Sequence, residues 1–149
     1  MNRDVDLLDI LLVEDNPHDA ELVIRALRNH DLAPHLVHLP DGQAALDFLF
    51  GSGTHRGRDL RKRPKVVLLD LKLPKVDGIE VLRRIRADQR TKQLPVVVLT
   101  SSREVRDIDT AYQLGANSFI VKPVEFESFL NVIRDTGWYW LKTNVISNS

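Results

Sequence analysis

Short apolar runs alternate with amphipathic stretches along most of the chain. Continuous runs stand at residues 10–13 (ILLV), 66–69 (VVLL), 96–99 (VVVL) and 119–121 (FIV), each bounded by polar or turn residues. A weaker run, 36–39 (LVHL), has a histidine interleaved. The three strongest runs are unbroken and β-branched, as strands covered on both faces are. Between the runs, apolar residues recur at helical spacing. Asn16 followed by Pro17 predicts a helix start, with Ala20, Val23, Ile24 and Leu27 as its inner face. Asp41 is placed to cap a second helix carrying Ala45, Leu46 and Leu49, and Asp77 a third carrying Val81, Leu82 and Ile85. A fourth uses Val105, Ile108, Tyr112 and Leu114, with Gly115 as its stop; a fifth begins near Glu125 and carries Phe126, Phe129, Leu130 and Ile133.

Five strands alternating with five helices imply parallel strands joined by right-handed crossovers. The fold class is therefore α/β, a flavodoxin-like (βα)5 doubly wound sheet with strand order 2-1-3-4-5. No internal repeat or second domain interrupts it, so residues 1–149 read as one domain. The Gly- and Arg-rich stretch 51–63 (GSGTHRGRDLRKR) reads as an extended surface loop, solvated in preference to binding a phosphate or an acidic partner.

Composition narrows the function. With 43% hydrophobic and 28% charged residues the chain is ordinary globular material, long enough to bury a core unaided. The absence of cysteine excludes a disulfide framework, a thiolate metal site and a cysteine nucleophile. Lys plus Arg and Asp plus Glu number 21 each, so net charge draws the chain neither to nucleic acid nor to an anionic membrane. The opening MNRDVDLLDI is too acidic for a signal peptide, and no apolar run reaches the length of a membrane span, which predicts a cytoplasmic location. His18, His30, His35, His38 and His55 show no ligand spacing on one helix.

In a doubly wound sheet, ligands bind beyond the carboxyl ends of the strands. The first strand ends at Glu14 and Asp15, the third at Asp70, the fourth at Thr100 and Ser101, the fifth at Lys122 and Pro123. Each alone reads as a cap or a surface charge. Together they bring three carboxylates, a hydroxyl and an ammonium to one edge. Clustered carboxylates repel unless a cation joins them, and Mg2+ favours such oxygens. The hydroxyl and ammonium suit a phosphoryl group's remaining oxygens, and a carboxylate can itself accept that group.

At these residues the sequence resembles the CheY-like receiver domains of two-component response regulators. The match spans the chain from about Asp9 to Leu141 and rests on VED at 13–15, LLDLKLP at 68–74 followed by DG at 77–78, LTSS at 99–102 and FIVKP at 119–123. The resemblance implies that Asp70 accepts a phosphoryl group from a histidine kinase, and that Glu14, Asp15, Asp70 and the backbone carbonyl of Lys72 hold Mg2+. It implies that Thr100 and Lys122 contact the phosphoryl oxygens and that Phe119 changes rotamer with Thr100. It also implies a cis Lys122–Pro123 bond and a tight turn at Gly78 suited to positive φ. Phosphorylation, which adds roughly −1.5 to −2 charges, would then switch the face built from the fourth and fifth helices and the fifth strand. Lys72 and Ser102, two residues after Asp70 and Thr100, bear on the lifetime of the phosphoryl group.

With no output module following the receiver, the expected partner is another protein, and the chemistry is confined to self-phosphorylation and autodephosphorylation at Asp70. Trp138, Tyr139 and Trp140 stand consecutively, so one helix cannot bury all three on one face, and exposed aromatics favour contacts. That cluster and the long loop before the third strand resemble the stand-alone regulators paired with phytochromes, which implies a homodimer and a phytochrome as the kinase. Rival readings fail on motif. There is no second acid two residues after Asp70 as in haloacid-dehalogenase phosphohydrolases, no GxxxxGK[ST], and EDNPHDA would repel a flavodoxin's phosphate. The alternative of another class is a pseudo-receiver, the same fold acting as a phosphorylation-independent binding module.

Overall fold

The computed structural model describes residues 8–146; residues 1–7 of the segment weighed against a signal peptide lie outside them. Five strands, β1 (Ile10–Val13), β2 (Leu36–Leu39), β3 (Val66–Leu69), β4 (Val96–Thr100) and β5 (Ser118–Val121), form one parallel sheet in the order β2-β1-β3-β4-β5. The helices between them are α1 (Pro17–Asn29), α2 (Gly42–Phe50), α3 (Gly78–Ala87), α4 (Val105–Gln113) and α5 (Phe126–Trp138). In β1, Ile10–Val13 pairs in register with Leu36–Leu39 on one side and Val66–Leu69 on the other. Alternate strand residues feed two cores. Leu11, Val13, Val67, Leu69, Val96 and Val98 pack under α2 and α3, while Ile10, Leu12, Val66, Leu68, Val97 and Leu99 pack under α1 and α5. Covered on both faces, β1, β3 and β4 are wholly buried, which is why their sequences are unbroken apolar runs.

The helix starts follow local chemistry. Asn16 Oδ1 accepts from the His18 and Asp19 amides, with Pro17 in the first helical turn where its missing N–H costs nothing. Asp41 Oδ1 accepts from Ala44 N at 2.7 Å, and Asp77 Oδ1 from Glu80 N at 2.9 Å. Gly115, at φ +103°, follows α4 as its stop.

Several expectations need correction. In α4 the buried residue is Ala111; Val105 is 71% exposed and Tyr112 is also exposed, because this helix covers only the β4–β5 edge and little of it faces the core. The stretch 51–63 is a surface loop with no buried residue, as expected, but it is ordered from within. It turns through a 3-10 segment at Gly53–His55 and is pinned by Arg58, whose guanidinium lies 3.9 Å from the Phe48 ring centroid and donates to Phe48 O at 2.6 Å and Lys62 O at 3.0 Å. Its most conspicuous basic residue is thus spent internally. After α5 the chain widens into one π-helical turn at Tyr139–Thr143. That turn divides the aromatic triplet. Trp140 packs onto the α1–α5 core, whereas Trp138 and Tyr139 are exposed.

Candidate functional site

Strand ends deliver the site. Glu14 and Asp15 follow β1, Asp70 follows β3, Thr100 closes β4, and Lys122 follows β5. Parallel register places these ends at the same edge of the sheet. Ligand oxygens of Glu14, Asp15 and Asp70 all lie within 4.8 Å of one another. Thr100 is 0% exposed and Asp70 is buried, while Asp15 is open to solvent. A cleft of about 420 Å³, lined by Asp15, Lys72, Asp77 and Asp107 among others, opens beside them.

Lys122 organises the charge. Its side chain is 8% exposed, and its Nζ lies 2.6 Å from Glu14 Oε1, 2.9 Å from Asp19 Oδ2 and 3.0 Å from Asp70 Oδ2. Burial works against its charge, but its hydrogen bonding to Glu14 and Asp19 and the charges of Asp70 and Glu14 outweigh it, so the ammonium is held above its ordinary value. Glu14 is pushed up to about 7 by burial, with the Asp70 charge adding and the Lys122 hydrogen bond opposing. Its second oxygen, Oε2, accepts from the Asn16 amide at 3.1 Å. Asp70 Oδ1 accepts only a long bond, 3.3 Å, from the Lys72 amide, while Oδ2 is held by Lys122.

The donor set fits a hard divalent ion: three carboxylates, one exposed, with an ammonium already neutralising the buried pair. No histidine joins this group among the described residues; His38 Nε2 instead meets Glu14 O at 2.8 Å.

Other expected residues stand as follows. Phe119 lies on β5, half-buried against the α2–α3 side, and its amide donates to the Tyr112 hydroxyl at 3.1 Å, tying α4 to the strand. The Lys72 ammonium does not reach for Asp70; it pairs with Asp107 Oδ2 at 3.7 Å, and Ser102 Oγ donates to the same oxygen at 2.5 Å. The Lys122–Pro123 bond is trans, not cis; trans is the intrinsically favoured X-Pro isomer. Gly78 does not adopt positive φ. The turn takes it at Lys75, φ +68°, and Gly78 is needed because backbone crowds it. Asp19 was not singled out by sequence. It lies 103 residues from Lys122, and nothing local in α1 marks it as more than a first-turn helix acid.

The family model for the response regulator receiver domain matches residues 10–134. The chain belongs to this family. The receiver is 44% identical over 135 residues to the probable methanogenesis regulatory protein FilR2 of Methanothrix harundinacea, covering 91% of this chain and 84% of that one. It is 37% identical to the response regulator Rcp1 of Synechocystis, over 90% of this chain and 89% of that protein. The crystal structure of Rcp1 in its Mn2+-bound form superposes with a TM-score of 0.87 at 36% identity, covering 94% of the receiver and 99% of Rcp1. That of the phosphorylated cyanobacterial phytochrome response regulator RcpA does so at 0.87 and 35%, covering 95% and 99%. Among the described residues, no helix of the receiver is long and apolar enough to cross a membrane.

Proposed function

We propose that this receiver is a Mg2+-dependent phosphorylation switch in which Asp70 takes a phosphoryl group from a histidine kinase. The observation that carries the reading is the position of Lys122 Nζ, 3.0 Å from Asp70 Oδ2 and 2.6 Å from Glu14 Oε1, beside a carboxylate cluster at the strand ends. With Oδ2 held by the ammonium, Oδ1 is the nucleophile. It forms the new O–P bond as the N–P bond of the donor phosphohistidine breaks, and the departing imidazole keeps the electron pair and takes a proton. Glu14, Asp15 and Asp70, with the Lys72 carbonyl, would hold Mg2+, which supplies neutralisation of the phosphoryl oxygens' charge when bound. Lys122 carries the same task from the opposite side, and the Thr100 hydroxyl donates to a phosphoryl oxygen.

The readout is the α4-β5-α5 face. Thr100 and Phe119 sit on adjoining strands, and the Tyr112–Phe119 hydrogen bond links α4 to the strand that must respond. Val105, Tyr112, Phe126, Trp138 and Tyr139 leave exposed apolar surface on these elements and just beyond them, where a cytoplasmic protein target or a second copy would bind. Exposed as they are, Trp138 and Tyr139 would make the contacts of a homodimer. The likeness to RcpA makes a phytochrome-type kinase the donor to test first. Phosphotransfer from a radiolabelled kinase tests the reading: label moves to the wild type and not to Asp70→Asn if the assignment is right.

A further inference from the structure

Asp19 is a carboxylate that neither the metal cluster nor the phosphoacceptor role uses. It stands in the first turn of α1, and its side chain keeps 23% exposure while Oδ2 contacts Lys122 Nζ at 2.9 Å. An ammonium has three N–H donors and no more. Asp19 Oδ2 and Asp70 Oδ2 accept two of them, and Glu14 Oε1 pairs with the same ammonium at 2.6 Å. Three carboxylates thus enclose an ammonium whose side chain is 8% exposed, and a phosphoryl oxygen reaches it only where one of them gives way.

The three are not equally releasable. Glu14 is 1% exposed, so water cannot replace the lysine there and only the metal ion would take its place. Asp70 would carry the phosphoryl group and stays beside the ammonium. Asp19 alone has enough exposure for water to replace the lysine at little cost. We infer that Asp19 is a positioning residue that holds Lys122 in the resting state and competes with the phosphoryl group for the ammonium. This rests on the reading of Asp70 as the acceptor.

A merely structural role predicts something else. Asp19 also places a negative charge at the α1 N-terminus, and its amide donates to Asn16 Oδ1; a role confined to the helix end would show only as slightly lower stability. The test is beryllofluoride affinity at saturating Mg2+, with the melting temperature read in parallel. The variants are Asp19→Asn, Asp19→Glu and, as a control, Glu21→Gln, which removes an α1 charge paired outward with Arg25. Asp19→Asn is expected to tighten beryllofluoride about fivefold, the order of one released partly exposed ion pair, with Asp19→Glu returning toward wild type and Glu21→Gln unchanged. A lowered melting temperature with wild-type beryllofluoride affinity in Asp19→Asn would overturn the inference alone. A wild type that binds no beryllofluoride would remove the Asp70 reading and this inference with it.

Discussion

A Cβ on Gly78 would stand 2.2 Å from the Asp70 carbonyl oxygen and 2.6 Å from Leu71 Cα. Those neighbours are backbone, so they cannot swing aside as a side chain can. The Gly78 amide also donates to Leu71 O at 2.9 Å, which docks the start of α3 against the strand end that carries Asp70. Gly78→Ala is expected to destabilise the fold by about 2–3 kcal/mol through overpacking. Urea denaturation checks this; a midpoint indistinguishable from wild type would mean that the close approach is not made.

Arg58 gives a second prediction. It stacks on Phe48 and satisfies the carbonyls of Phe48, Asp59 and Lys62. Arg58→Ala should cost about 1.5–3 kcal/mol and make the 51–63 segment the first site of limited proteolysis. Arg58→Lys should not restore it, because an ammonium cannot reproduce the planar fork over the ring. Wild-type proteolysis kinetics in both variants would contradict the role given to this contact.

The buried Glu14 makes the metal-free protein pH-sensitive. Its folded value, about 7, lies above its ordinary 4.5. Between those two values the folded state binds more protons than the unfolded state, so stability contributed by this group is complete below about pH 4.5 and is lost as pH rises through 7. In EDTA the unfolding free energy should fall across that window by up to about 3 kcal/mol, and Glu14→Gln should flatten the profile. A flat wild-type profile, measured by urea titration at several pH values, would show that Lys122 keeps Glu14 ionised throughout.

What could be read from sequence follows from how local the cause was. β1, β3 and β4 were legible because burial on both faces writes an unbroken apolar run, and Asn16, Asp41 and Asp77 because a cap acts within three residues. Glu14, Asp15, Asp70, Thr100 and Lys122 were legible jointly, since parallel register brings strand ends to one edge. Asp19 was not, because its partner Lys122 is reached only through the folded sheet. Nor was the anchoring of the 51–63 loop by Arg58: basic composition says nothing about an aromatic ring ten residues away. The α4 face was misread because Val105 and Tyr112 keep helical spacing on a helix with little core to cover.

Whether Asp70 accepts a phosphoryl group in a Mg2+-dependent reaction is decided by intact mass after incubation with acetyl phosphate and Mg2+. One phosphoryl adduct is predicted on the wild type, absent in Asp70→Asn, absent in EDTA and removed by hydroxylamine. No adduct on folded wild-type protein, or an adduct that persists in Asp70→Asn, would contradict the Asp70 reading; the first result would leave the fold acting as a binding module alone.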